Sequence, residues 1–478
     1  MPHEPKKQRA VAGARATAIC AVLLLAACST APKYTPPTID VPAAFKESAG
    51  WKLADPNAAA VPDDWWLLFN DPVLNALQAQ VVLGNQNLQA SIAQYRVAQA
   101  SLASSRAGLL PSIGVGASAS RSSSGSVSAS GTAPGTSYAL SGSANWEIDL
   151  WGRLAGTVDS AQARLQASQD DLAAARLSTQ ATLAQVYFSL RATEAQGALL
   201  ESTLAAYLRS LELTQNRYTA GVASSADVAQ AQTQLKTAQA QLIDSNNSRA
   251  QLEHAIAALL GKAPAAFSLA RTSALPAVPE VPLQLPSSLL ERRPDIAAAE
   301  RRVAAANAEI GVARAAFFPA LTLSAGVGFR NSTLANLISS PNLFWSLGPA
   351  LALAVFDGGA RQAAVDSARA GTDQAIANYR QTVLTALQEV EDNLIEASSL
   401  QEQVVVQAEA LTAAQKVLEV VSNQYRAGTV SYLNVVTAQA TALSAERNLL
   451  DLRSRRLAAV NQLLKNIAGR WDTAPPPG

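Results

Sequence analysis

The sequence predicts a mixed, mainly α fold with an internal two-fold repeat, in which each chain lends four strands to a β-barrel shared with other copies. Three observations predict it. One order of motifs recurs at an offset of about 207 residues, far beyond the 20 to 50 of solenoid units. Each half contains one very long helical run without proline, at about 153–218 and 360–425. Paired segments of about ten residues before those runs alternate apolar with small or polar side chains. Composition agrees: of 478 residues 49% are hydrophobic and 15% charged, against about 25% charged in an average soluble domain. Alanine supplies roughly a fifth of positions, which suits closely packed helices. No apolar run after residue 30 approaches the roughly 18 residues of a spanning helix, so the apolar surplus belongs to helix seams and strand faces.

The N-terminus reads as an export signal over residues 1–27. Lys6, Lys7, Arg9 and Arg15 precede the short apolar stretch of residues 16–25. The stretch ends in Leu25-Ala26-Ala27-Cys28, which resembles a bacterial lipobox, so Cys28 is the expected lipidation site and the new N-terminus. Ser29 follows it, which in that resemblance suits transfer to the outer membrane. Cys20 leaves with the signal, so no disulfide forms within the mature chain. Loss of four basic residues and Glu4 takes the formal charge from +1 to about −2, and nothing recruits nucleic acid.

A lipidated equatorial segment is expected over residues 28–85, followed by the first repeat over 86–263. That repeat has strands at about 111–122 and 136–150 and long helices at about 153–218 and 225–261. A Pro-rich equatorial linker covers 264–292. The second repeat, 293–470, has strands at about 319–331 and 343–356 and long helices at about 360–425 and 431–468; a tail covers 471–478. Asn216-Arg217-Tyr218-Thr219-Ala220-Gly221 matches Asn423-Gln424-Tyr425-Arg426-Ala427-Gly428, with Gly221 and Gly428 at plausible left-handed caps where the chain turns back. In the returning helices, Val228, Leu235, Leu242, Arg249 and Ile256 fall at seven-residue spacing, answered by Val435, Ala442, Leu449, Arg456 and Leu463. Such spacing with small residues in the seam predicts antiparallel coiled-coil pairs.

Tyr138, Leu140, Trp146 and Ile148 form one apolar strand face, Leu321, Leu323, Val327 and Phe329 a second, and Leu343, Trp345, Leu347, Leu351, Leu353 and Val355 a third. The strand beginning at Ile113 is richer in Ser and Gly. Such alternation is the pattern of a transmembrane β-barrel, and also of a surface sheet on a soluble domain. Four strands have open edges, and lipid offers an open edge no hydrogen bond. Copies must therefore share a barrel, and two or three are the smallest solutions. Residues 120–136 and 331–342 are expected as external loops.

With these features the chain resembles the outer-membrane factors of the TolC superfamily, most closely the OprM-like, NodT-type lipoproteins of RND efflux systems. The resemblance rests on Ser288-Leu289-Leu290-Glu291-Arg292-Arg293-Pro294-Asp295-Ile296 with Phe317-Phe318-Pro319, on Trp146-Glu147-Ile148-Asp149-Leu150-Trp151-Gly152, on Phe356-Asp357-Gly358-Gly359 and on both tip motifs. It implies a homotrimer with a twelve-stranded β-barrel in outer-membrane lipid, continuous with a long periplasmic α-helical barrel. It implies partnership with a periplasmic adaptor and an inner-membrane RND transporter. The function so implied is a passive exit duct for drugs or other small toxic compounds, opened at its periplasmic tip by adaptor docking. The alternative is the duct of a type I protein secretion system.

The gate candidates lie in hairpins 214–228 and 421–435: Arg217, Tyr218, Gly221, Asp227, Asn423, Tyr425, Arg426 and Gly428, tied by hydrogen bonds and ion pairs of the arginines and tyrosines. Asn434 stands where Asp227 predicts an acid, which puts an acidic ring at the aperture in doubt. Glu389, Glu391, Asp392 and Glu396 read as solvated helix charges. No catalytic residues and no cofactor are expected. After loss of His3, His254 is the one histidine, with no partner for a metal site, and no P-loop or nucleophile elbow appears.

Overall fold

The computed structural model of the protein describes residues 32–48, 64–122, 135–281 and 292–467. The export signal, Cys28, most of the first external loop, residues 282–291 with the Ser288–Glu291 part of the family motif, and the C-terminal tail lie outside the described residues. The chain divides into two units.

One unit comprises Gln94–Gln169 and Ala298–Arg380 with the first described residues, up to Thr38. Strands β1 (Ser112–Ser122), β2 (Gly135–Ile148), β3 (Ala320–Asn331) and β4 (Leu343–Ala352) form one antiparallel sheet in the order β1-β2-β3-β4. Register decides which side chains share a face, because directly paired residues point the same way. Val115 pairs with Gly142, Gly142 with Val327 and Val327 with Trp345, while Ile113, Ala144, Ala325 and Leu347 form the next apolar row. Gly114, Ser143, Gly326 and Ser346 form a row on the opposite face. The apolar face is bare in the single chain: Ile113 is 80% and Trp345 75% exposed. β4 stops at Ala352 rather than continuing to 356, and β2 stops at Ile148 rather than 150. The reason lies in β3, whose Ala320 pairs with Ala352 and whose Leu321 pairs with Ile148; Pro319 before it has no amide to extend the ladder.

Where strands give way to helices, the two halves use the same device. Asp149 accepts from the Ala155 amide at 2.7 Å, and Asp357 accepts from the amides of Gly359 and Arg361. These carboxylates satisfy free N–H groups at the starts of α3 (Arg153–Thr219) and α6 (Ala360–Arg426). Trp151 stacks on Phe318 at 4.7 Å and donates to the Pro319 carbonyl; the Arg361 guanidinium lies over Phe317. Aromatic and cationic side chains therefore cluster at this end of the sheet.

The other unit comprises Ile39–Ala93, Asp170–Ala297 and the chain from Gln381 onward. Besides parts of α3 and α6 it holds α1 (Pro72–Gly84), α4 (Ser225–Leu259) and α7 (Tyr432–Ile467). Helices α2 (Gln86–Ala107) and α5 (Pro294–Ala315) belong partly to each unit. The repeat is visible in helix lengths: α2 and α5 each have 22 residues, α3 and α6 each have 67, and α4 and α7 have 35 and 36. At 1.5 Å per residue the longest reach on the order of 100 Å. Both tip turns bind their helix ends alike: Gly221 and Gly428 have φ of 76° and 79°, and Val222 and Thr429 donate back to the carbonyls of Arg217 and Gln424. The same geometry ends α4 at Leu259 rather than 261. Gly261 has φ 69°, and a Cβ there would lie 2.0 Å from the Gly84 carbonyl oxygen.

The seven-residue seam is buried or half-buried throughout, with Leu235, Ile256, Val435, Leu449 and Leu463 in the core. The largest core cluster gathers Trp65, Phe69 and Leu74 from the N-terminal segment onto Leu183, Phe188, Ile256, Leu394 and Leu463 of the long helices. Asp71 starts α1 by accepting from the amides of Val73 and Leu74, and its other oxygen accepts from the Tyr187 hydroxyl at 2.6 Å. Of the carboxylates expected to be solvated, Glu391 and Glu389 are structural, while Glu396 and Asp392 remain largely solvated. Glu391 accepts from the amides of Lys46 and Glu47, Glu389 pairs with buried Arg293, and Glu396 faces Arg455. Asp392 accepts from Gln388, one turn away on its own helix.

Candidate functional site at the helical tips

Arg217 organises the site. It ends α3, and its Nη1 donates to the carbonyls of Tyr425 and Arg426 at 3.0 and 3.4 Å. Its guanidinium lies 4.8 Å from the Tyr425 ring centroid. A cation thus caps the C-terminal end of α6, where free carbonyls concentrate negative potential, and adds a cation–π contact. Within the described chain the tie of Arg217 is to neutral carbonyls and an aromatic face.

Tyr425 is 5% exposed, its hydroxyl is 3.5 Å from Thr214 Oγ1, and its ring sits 5.4 Å from that of Tyr432. The Tyr432 hydroxyl shares a hydrogen bond with Ser210 at 3.1 Å. Burial pushes the Tyr432 phenol above its ordinary value, an effect the Ser210 and Thr214 hydroxyls partly oppose, so it stays neutral. Ala231, Val435 and Val436 complete a small apolar cluster around the tyrosines.

The other candidates are less involved. Tyr218 is 48% exposed. Arg426 donates to Asn423 within its own helix, at 2.9 Å. Asp227 forms a capping box with Ser224, each side chain bonding the other residue's amide. Gly221 and Gly428 shape the turns. Tyr432, Thr214 and Ser210 are site residues that sequence reasoning missed. Laying the halves over each other would have flagged Tyr432, which stands where the first half has Ser225. Among the described residues no cluster of three or more His, Cys, Asp or Glu is placed to hold a metal, and no helix is long and apolar enough to cross a membrane.

A polar cleft of about 700 Å³ lies between α3, α4 and α7, lined by Gln, Ser and Thr with Tyr207, Arg447 and Asp451. The family model described as "Outer membrane efflux protein" matches residues 77–262 and again 285–469, one stretch for each half of the repeat. The chain belongs to this family. It is 32% identical over 461 residues to the "Probable efflux pump outer membrane protein TtgC" of Pseudomonas putida, covering 94% of each chain. To "Outer membrane protein OprJ" of Pseudomonas aeruginosa it is 30% identical, covering 95% of this chain and 96% of that one. The solved structure of the outer-membrane channel OprN superposes with a TM-score of 0.86 at 30% identity, covering 93% of this chain and all of that one. This outer membrane efflux protein is therefore an efflux channel of the outer membrane that extends into the periplasm, with the TolC-like fold.

Proposed function

We propose that three copies of this outer membrane efflux protein form a non-catalytic exit duct, passing drugs or other small toxic compounds delivered by an inner-membrane RND transporter and its periplasmic adaptor. The observation that carries the reading is the sheet. Its apolar residues share one face while β1 and β4 are left as edges, so lipid requires other copies to close it. Three copies give twelve strands, an even number within the range of membrane barrels. The duct is gated at its tips: hairpins 214–228 and 421–435 hold the inner end constricted, and adaptor docking biases a two-state element toward the open form.

Cys28 carries the lipid anchor in this reading. Asn307 donates to the Pro32 carbonyl at 3.0 Å, and the Tyr34 hydroxyl bonds the Glu300 carboxylate, so the first described residues are tied to α5.

The test is single-channel recording of the purified protein in planar bilayers. Arg217→Ala with Tyr425→Ala is expected to raise conductance, and unchanged conductance overturns the gate. Deletion of the gene is expected to raise susceptibility to toxic compounds; unchanged susceptibility with loss of a secreted protein points instead to protein secretion.

A further inference from the structure

The face of the sheet opposite Val327 and Trp345 is the one that a closed barrel turns toward the passage, because lipid takes the apolar side. Almost all of its residues are glycine, alanine, serine, threonine or asparagine. Among the described residues of the four strands, three larger groups stand on it: Glu147, Arg330 and Phe344. Glu147 lies at the helix end and is neutralised by Arg153, through bonds of 2.7 to 3.0 Å. Arg330 and Phe344 lie at the loop end and are built together. Phe344 pairs with Gly328, and a Cβ at Gly328 would lie 2.9 Å from Phe344 Cζ, so the ring rests against the backbone of the sheet. The Arg330 guanidinium sits over that ring, 5.3 Å from its centroid, and the residue stays exposed. A cation–π contact thus holds the charge at the wall without neutralising it.

We propose that Arg330, seated on Phe344, makes the outer mouth of the duct prefer anions, so that carboxylates, sulfonates and phosphates leave more readily than cations of the same size. The inference rests on the trimeric duct proposed above, in which three copies close a ring of three Arg330 side chains. The sequence supports it independently: between Arg106 and Glu147 the one charged residue is Arg121, and between Arg314 and Asp357 it is Arg330. Both external loops fall within these stretches, so neither brings a carboxylate to the ring. Arg121 shares the face of Ile113 and Val115, outside the passage. Size then decides whether three charges matter. Twelve strands about 4.8 Å apart and tilted by about 40° enclose a backbone cylinder about 24 Å across. Every point of the passage is within about 12 Å of the wall, close to the screening length of about 10 Å in 0.1 M salt. Three unit charges at about 10–12 Å through screened water favour a monovalent anion over a cation about three- to fivefold. Rings of arginine or lysine select anions in other pores by the same means. Cationic compounds outside meet this ring first, which opposes their return.

Reversal potentials in planar bilayers, under a gradient of potassium chloride near 0.1 M, test this. Recordings use the full-length chain and its Arg217→Ala, Tyr425→Ala form, so that a constricted tip does not mask the mouth. Arg330→Gln is expected to lower the chloride-to-potassium permeability ratio about three- to fivefold. Arg330→Glu is expected to lower it further, and Arg330→Lys, which keeps the charge, to preserve it. Arg121→Gln removes the same charge from the other face and is expected to leave the ratio where it was. In about 1 M salt, where the screening length is about 3 Å, the differences are expected to vanish. Native mass checks that each variant assembles; should Arg330→Gln not assemble, Arg330→Lys against Arg330→Glu makes the same comparison. Trimers whose ratio is unmoved by loss of the Arg330 charge, or is moved equally by Arg121→Gln, overturn the ring. A native mass of one subunit for the unmodified chain, or no conductance from either form, overturns the duct itself and the inference with it.

Discussion

The sheet and the helical core of this chain solve opposite problems with the same residue types. In the sheet, valines and tryptophans face outward and stay bare in the single chain, while serines and glycines share the other face. In the helical unit, tryptophans and leucines turn inward, and even charged groups are buried, provided each has a partner. Arg191 and Glu194 are almost fully buried and 2.7 Å apart; Arg249 bridges Glu194 to Glu253. The same groups bind the backbone of the linker after α4: Arg191 donates to the Ala270 carbonyl, Arg249 to that of Leu269, and Glu253 and Glu194 accept from the amides of Leu269 and Thr272. The difference teaches that the helical unit carries its own solvent-excluded core, whereas the sheet has its core only when lipid and other copies supply one.

The largest effect that would break this contrast is expected at Glu194. Glu194→Ala leaves two buried guanidinium groups short of a partner and is expected to cost about 3–5 kcal/mol, read as a lowered denaturant midpoint in detergent. A change under about 1 kcal/mol would mean that the network is not structural. On the sheet, Val327→Arg puts a charge on the apolar face and is expected to cost about 2–4 kcal/mol if that row lies near the bilayer midplane. It should abolish heat-resistant oligomers while leaving helical circular dichroism intact; loss of both signals would join what the comparison separates.

A smaller effect is expected from acid. Burial alone would raise the Glu253 carboxyl, but the Leu269 amide and the Arg249 guanidinium outweigh it and hold the group below the ordinary carboxylate range. Asp295 is likewise held down, by Arg293 against burial. Groups depressed on folding stabilise the protein above their unfolded values and lose that contribution as pH falls through the folded ones. Melting temperature is therefore expected to hold between neutrality and about pH 5 and to fall below about pH 4. Glu253→Gln should flatten part of that fall, and an unaltered acid limb would refute the assignment. Smallest is the cap: Ser224→Ala removes one half of a reciprocal capping box and is expected to cost about 1 kcal/mol, seen as faster local amide exchange at residues 225–228 alone.

Much of this was legible before any coordinates. The period of seven in Val228, Leu235 and Leu242 and the period of two in Leu321, Leu323 and Ala325 are local signals, and helices and strands follow them closely. The fold class was therefore readable. The tip was readable only as a place: the sequence picks out Tyr218 and Tyr425 as equals, but their environments differ because Arg217 and Tyr432 have no counterparts at Gln424 and Ser225. Least legible were pairings across long separations. Nothing near Glu391 says that it accepts from the amides of Lys46 and Glu47, nor near Glu389 that it meets Arg293, so both read as ordinary helix charges.

The unpaired edges of β1 and β4 have a genetic consequence. A copy damaged along one edge but sound along the other still offers its neighbours a pairing strand, takes a place beside them and stops the wall from closing. Such damage should act dominantly, spoiling the normal copies made in the same cell, whereas a lesion in the helical core that prevents folding removes only itself.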